Sequence, residues 1–236
     1  MAYDGTRFRG WAAQPGLRTV QAELESALAT VLREPVTLTV AGRTDSGVHA
    51  TAQVVSFDAK RAGERLVRSV NAVLPRDVVV RSCDEAAPDF DARRSARSRA
   101  YRYRLLATRE RDPLEQGRAM HWRHRVDRDA LDAAAAAVVG RHDFTAFTPT
   151  ETKHRRFERD VFRCRWEGEV PGLVCLEIEA DAFMRSMVRV LVGTMLEVAG
   201  GRRRLDDFVS LLDGAPRERA GDTAPAHGLY LVGVRY

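Results

Sequence analysis

The chain has 236 residues, enough to bury one large core or two small ones. Hydrophobic residues make up 44% and charged residues 30%, the balance of an ordinary soluble globular protein, and no stretch approaches the roughly 18 uncharged apolar residues of a membrane span. The formal charge is +5, and almost all of the basic charge is arginine, since Lys60 and Lys153 are the only lysines.

Taken in chain order, Val20, Leu24, Ala27, Leu28, Val31 and Leu32 recur at helical spacing after Thr19, a suitable N-cap, and Pro35 is expected to stop that helix. Val36, Leu38 and Val40 then alternate with Thr37 and Thr39, the two-residue period of a half-buried strand. A glycine-bracketed loop, 42–49, leads to a second strand around 54–57. Leu66, Val67, Val70, Val73 and Leu74 predict another helix, stopped by Pro75, and 78–82 reads as a strand. At 100–106 Tyr101, Tyr103 and Leu105 point one way and Arg102 and Arg104 the other. An alanine-rich helix runs from near Asp127 to before Gly140. Strands follow at 161–166 and 173–180. A long apolar helix extends from Phe183 to Gly200-Gly201, with Arg185 and Arg189 four apart on one side of it. A shorter helix at 205–212 and a strand at 229–236 complete the chain. Helices followed by adjacent strands favour an α+β fold on an antiparallel or mixed sheet. A boundary near 90–105 would divide it into similar halves, 1–100 and 101–236.

Arg93, Arg94, Arg97, Arg99, Arg102 and Arg104 fall within twelve residues, and Arg202, Arg203 and Arg204 form a second run. The planar guanidinium fork suits phosphate and can stack on bases, so such runs fit a nucleic-acid partner. An arginine-biased composition accounts for them equally well. Cys83, Cys164 and Cys175 are odd in number and never paired as C-x-x-C. That pattern argues against a disulfide framework and a thiolate zinc site, and it points to a reducing cytoplasm. The opening Met1-Ala2-Tyr3-Asp4-Gly5 has no apolar core of a secretion signal.

Asp45 is the leading catalytic candidate. It lies between Arg43 and His49 on a loop leaving a strand, with Gly42 and Gly47 permitting sharp turns and close ligand approach. The same pattern also describes an ordinary turn in which Asp45 bonds neighbouring backbone N–H groups. The glycines do not form a dinucleotide fingerprint, and no lysine completes a phosphate-binding P-loop. Asp45-Ser46-Gly47 matches the short aspartic-protease triplet, but Arg43 would favour the charged carboxylate and spoil a shared proton. His121 and His124 have ligand-like spacing, yet arginines flank them and no cysteine is near, so no metal site is expected.

The run Ala41-Gly42-Arg43-Thr44-Asp45-Ser46-Gly47-Val48-His49-Ala50 resembles the catalytic loop of the tRNA pseudouridine synthase A family. Other runs are similar to that family in the same order: Tyr3-Asp4-Gly5-Thr6, Gly10-Trp11, Thr19-Val20-Gln21, Arg99-Ala100-Tyr101-Arg102-Tyr103 and Gly140-Arg141-His142-Asp143-Phe144. Phe183-Met184-Arg185-Ser186-Met187-Val188-Arg189 and Gly228-Leu229-Tyr230-Leu231 continue the likeness to the end of the chain. The resemblance implies two pseudo-symmetric α/β halves with mainly antiparallel sheets flanked by helices, and an RNA cleft between them. It implies a homodimer that needs no cofactor and no metal. Its substrate would be tRNA, at uridines conventionally numbered 38 to 40 in the anticodon stem–loop.

By the same resemblance Asp45 is the catalytic carboxylate. Arg43 holds phosphate or fills the space left by an extruded base, Tyr101 stacks on that base, and Arg189 pairs with Asp45. A non-catalytic RNA-binding chaperone on the same scaffold is the alternative, since it would keep the arginines without needing Asp45. The sequence departs from the family where Ala12 follows Trp11 in place of glutamine, in a short first strand, and at 151–160. That last segment, with Lys153, His154, Arg155, Arg156 and Arg159, suggests only a phosphate-binding loop.

Overall fold

The computed structural model describes residues 1–59, 62–152 and 154–236. The fold is α+β and divides into two compact units, one made of 1–97 with 230–236 and the other of 98–229.

In the first unit five strands are short: β1 (Ala2–Tyr3), β2 (Thr39–Val40), β3 (His49–Ala50), β4 (Val55–Ser56) and β5 (Val78–Val79). Two helices accompany them, α1 (Val20–Leu32) and α2 (Glu64–Val73). β5, β1 and β3 pair antiparallel in that order, with Tyr3 opposite Ala50, while β2 pairs with β4. The predicted strands at 36–40 and 78–82 are thus cut to two residues each. α1 begins as expected at Val20. Thr19 occupies the N-cap position, but its hydroxyl makes no capping bond and is buried without a partner among the described residues. The helix ends before Pro35, because Arg33 takes a left-handed φ of 61° and turns the chain. Val20, Leu24, Ala27 and Leu28 supply its buried stripe, and Leu66 and Val70 that of α2, which packs on α1. Phe8 and Trp11 complete this core.

The second unit is built from longer elements. β6 (Ser98–Leu106), β7 (Met120–His121) and α3 (Arg128–Ala137) come first. β8 (Gly140–Asp143), β9 (Glu158–Val170) and β10 (Leu173–Ala180) follow, then α4 (Met187–Ala199) and α5 (Leu205–Val209). β6, β10, β9 and β8 form an antiparallel run, and β7 lies parallel to β6. Tyr101, Tyr103 and Leu105 are buried while Arg102 is exposed, as the alternation predicts. α3 is capped by Asp127, whose carboxylate accepts from Ala130 N–H. Leu131, Ala134 and Ala135 bury its inner face, and it packs on α4, α5 and β9. β11 (Leu229–Arg235) closes the chain and lies parallel to β3, with Tyr230 opposite His49. Its return to the N-terminal unit is a long-range pairing that no local pattern announces. Among the described residues no helix is long and apolar enough to cross a membrane.

Candidate active site

Asp45 is half-buried and Arg43 exposed on the loop between β2 and β3. The flanking elements are too short to immobilise such a loop by ladder bonds, and buried polar side chains take that part. The Tyr3 hydroxyl bonds Thr44 Oγ1 at 2.8 Å. Gln53, only 1% exposed, donates from Nε2 to Tyr3 Oη at 3.2 Å and to the Gly42 carbonyl at 2.8 Å. Thus Gly42 and Thr44, on either side of Arg43, are tied to one buried network. Burial dominates the Tyr3 phenol and pushes its pKa from 10.0 up to about 12, against the opposing pull of Thr44 and Gln53.

The segment 5–11 holds the loop from a second direction. Trp11 N–H donates to Thr44 C=O at 3.0 Å, and Phe8 C=O accepts from Gly47 N–H and Ser46 Oγ. Two glycines make this approach possible. A Cβ on Gly5 would stand 2.0 Å from Val48 O, and one on Gly10, at φ +93°, would stand 3.0 Å from Thr44 O. Beyond the loop His49 is buried and stacks on Tyr230, ring centroids 4.6 Å apart. Asp45 itself contributes a turn bond, its C=O accepting from Val48 N–H at 3.2 Å. A backbone turn at Asp45 and anchored residues on either side of it therefore coexist.

Tyr101 and Arg189 belong to the second unit. Tyr101 is 7% exposed on β6, and its ring meets Phe183 edge-on at 5.0 Å. Arg189 is half-buried in the first turn of α4 and donates from Nε to the Ala224 carbonyl at 2.7 Å. The shared helical face expected for Arg185 and Arg189 does not form. α4 starts only at Met187, because Ser186 adopts a left-handed conformation (φ 59°) that breaks the helix ahead of it. Arg185 is exposed outside the helix, and its carbonyl accepts from Thr148 Oγ1. A non-glycine residue in that backbone region carries strain, which tends to persist at functional sites.

The arginine runs are less uniform than their sequence suggests. Arg102 pairs with Glu177, and Arg104 makes a two-pronged contact with Glu115 at 2.8 and 3.1 Å. Arg99 is buried and donates to the Asp181 carbonyl, and Arg203 is engaged by Glu197 at 2.9 Å. Much of this charge is structural. In the 151–160 segment Arg155 and Arg156 are exposed, Arg159 is buried, and Lys153 lies outside the described residues. His121 bonds the Thr108 carbonyl, whereas His124 lies against Trp122. Among the described residues no group of three His, Cys, Asp or Glu side chains could hold a metal ion.

Two supports of the loop escaped the sequence reading. Tyr3 stood in a matched run without an assigned role, and Gln53 gave no local signal. An amide next to β3 becomes recognisable only when the fold brings Gly42 and Tyr3 to it.

Residues 1–93 and 134–236 match the model of a family described as tRNA pseudouridine synthase. Proteins called tRNA pseudouridine synthase A align with the whole chain. The one from Bacillus pumilus is 39% identical with 97% of its own length covered, and that from Neisseria meningitidis serogroup B is 42% identical with 90% covered. The Frankia casuarinae protein is 45% identical over 246 aligned positions, with 87% of its length covered. With its glycine-cradled Asp45 loop and this full-length likeness, the chain belongs to the tRNA pseudouridine synthase family.

Proposed function

We propose that this protein isomerises uridine to pseudouridine in tRNA, at the anticodon stem–loop positions conventionally numbered 38 to 40, with Asp45 as its catalytic carboxylate. The observation that carries the reading is the immobilised Asp45 loop, whose neighbours Gly42 and Thr44 are bonded to buried Gln53 and Tyr3. Family membership supports it. The reaction breaks the N1–C1′ bond of the nucleotide, turns the ring and rejoins it through C5. The proton lost from C5 balances the one gained at N1, so no redox partner or group donor is consumed. A carboxylate carried on an anchored loop suits the step as nucleophile or base, because the backbone that bears it is settled before substrate arrives.

The target base must leave its stack, at a cost of a few kcal/mol. Arg43, exposed beside Asp45, holds a phosphate or fills the vacated space. Tyr101 offers a ring to the extruded base, and that ring is already steadied by Phe183. Arg189 supplies the cation that this reading assigns to the carboxylate. Together these roles make up the reading. It extends to a homodimer working in the cytoplasm, which the free cysteines Cys83, Cys164 and Cys175 suit.

The decisive experiment is Asp45→Ala, assayed for pseudouridine in an anticodon stem–loop by base-specific derivatisation. Turnover is expected to vanish while folding and RNA affinity stay near wild type. Sustained turnover would remove Asp45 from the mechanism. A wild-type protein that binds the stem–loop but never isomerises it would instead be an RNA chaperone.

A further inference from the structure

α4 is buried on every side but one. Its residues that are not buried are Arg189, Gly193 and Glu197, four apart and so aligned in one stripe. The segment 221–225 runs along this stripe in the direction opposite to the helix. Ala224 N–H donates to the Arg189 carbonyl at 3.1 Å, and Arg189 Nε donates back to the Ala224 carbonyl at 2.7 Å. One turn further on, Gly221 N–H donates to Thr194 Oγ1 at 3.1 Å, and that hydroxyl donates to the Val190 carbonyl at 2.7 Å.

Both surfaces are cut to fit. A Cβ at Gly193 would stand 1.9 Å from Asp222 O, and one at Gly221 would stand 2.6 Å from Glu197 Oε1. The Glu197 carboxylate is itself held by Arg203, which also reaches the Arg219 carbonyl at 2.9 Å. At its other end the segment is fastened to β6. Tyr103 Oη donates to the Pro225 carbonyl at 2.9 Å, and a Cβ on Gly228 would stand 2.7 Å from Cζ of the Tyr103 ring. The strand that carries Tyr101 is thereby tied to the strap that holds Arg189.

We propose that this strap sets the direction of the Arg189 guanidinium, so that Gly193 and Thr194 are positioning residues that act on the reaction through Arg189. The inference rests on the role given to Arg189 under the proposed function. An arginine has a long stem with many rotamers, and restricting them costs free energy. Tying Nε to Ala224 meets that cost on folding, and the cation is then already oriented when charge develops in the reaction.

The test compares Gly193→Ala, Thr194→Val, Arg189→Ala and the two double variants that pair each strap substitution with Arg189→Ala. Turnover on an anticodon stem–loop, RNA affinity and thermal melting are measured for all of them. Thr194→Val adds almost no volume, so it reports even if Gly193→Ala fails to fold. A displaced guanidinium should lower kcat roughly 10-fold to 100-fold, as small misplacements of catalytic groups do. KM should stay within about threefold, because only an interaction made at the reacting centre is lost. Each double variant should turn over no more slowly than Arg189→Ala alone. Losses that instead add in the doubles, or an unchanged kcat in both strap variants, would overturn the inference while leaving the proposed function standing. Full turnover by Arg189→Ala would overturn the inference and the role of Arg189 together, whatever Asp45→Ala shows.

Discussion

In the first unit β1, β2, β3 and β4, which frame the Asp45 loop, are two residues long each. In the second unit β6, β9 and β10 run to nine, thirteen and eight residues, and α4 is a thirteen-residue apolar helix. The loop that carries the candidate carboxylate is therefore held by individual buried hydrogen bonds and by glycine contacts at the limit of backbone approach. The candidate tyrosine and arginine are held by cooperative ladders and helix packing. The difference teaches where each unit is vulnerable. A network of single bonds fails when one member is removed, whereas a ladder spreads the loss over many pairs.

The largest effect that would test this contrast is expected at Gly5. Gly5→Ala forces a Cβ into Val48 O, a backbone atom that cannot step aside, and should cost about 3 kcal/mol or more in urea unfolding. A cost no larger than that of an ordinary surface substitution would show that the loop has slack.

Next comes alkaline pH. The folded Tyr3 pKa lies above its unfolded value of 10.0, because burial raises it to about 12. Its contribution is thus fully present below pH 10 and disappears as pH rises from 10 to 12, roughly 2 to 3 kcal/mol in all. Tyr103 is also raised by burial and loses stability in the same direction. Unfolding curves at pH 9 and pH 12 should accordingly differ less in Tyr3→Phe than in the wild type. An identical difference would mean that Tyr3 is not the buried anchor.

The smallest effects set the two units side by side. Gln53→Leu strands the Gly42 carbonyl, leaves the Tyr3 hydroxyl with Thr44 alone, and should cost about 2 kcal/mol. Arg141→Gln, on the solvent face of β8, should cost no more than an ordinary surface substitution, because Arg141 and its partner Glu158 are 61% and 50% exposed and β8 keeps its ladder. Equal costs would erase the contrast.

Much of the second unit was legible locally. Period-two alternation located Tyr101 on a buried strand face, and the strand at 173–180 falls where the pattern placed it. The start of α4 was not legible. Continuous apolar character from Phe183 masks the left-handed turn at Ser186, a choice made by packing and by the Thr148 bond to the Arg185 carbonyl. In the first unit the alternation at 36–40 promised more strand than forms, because a strand lasts only as far as a partner exists to bond it. Asp45 was recognisable as a candidate from its loop motif. The Gln53 that steadies this loop was not.

By itself the sequence determined which segments carry apolar periodicity, which glycines interrupt them, and which family's motifs occur in order along the chain. Those are local properties, written in spacing and residue type. The tertiary structure alone decided that Tyr3 and Gln53 converge beneath the Asp45 loop, and that 221–225 straps Arg189. It also decided that most of the last strand rejoins the first unit. Each of those contacts joins residues far apart in sequence, and closing such loops becomes favourable only when the whole core is buried at once.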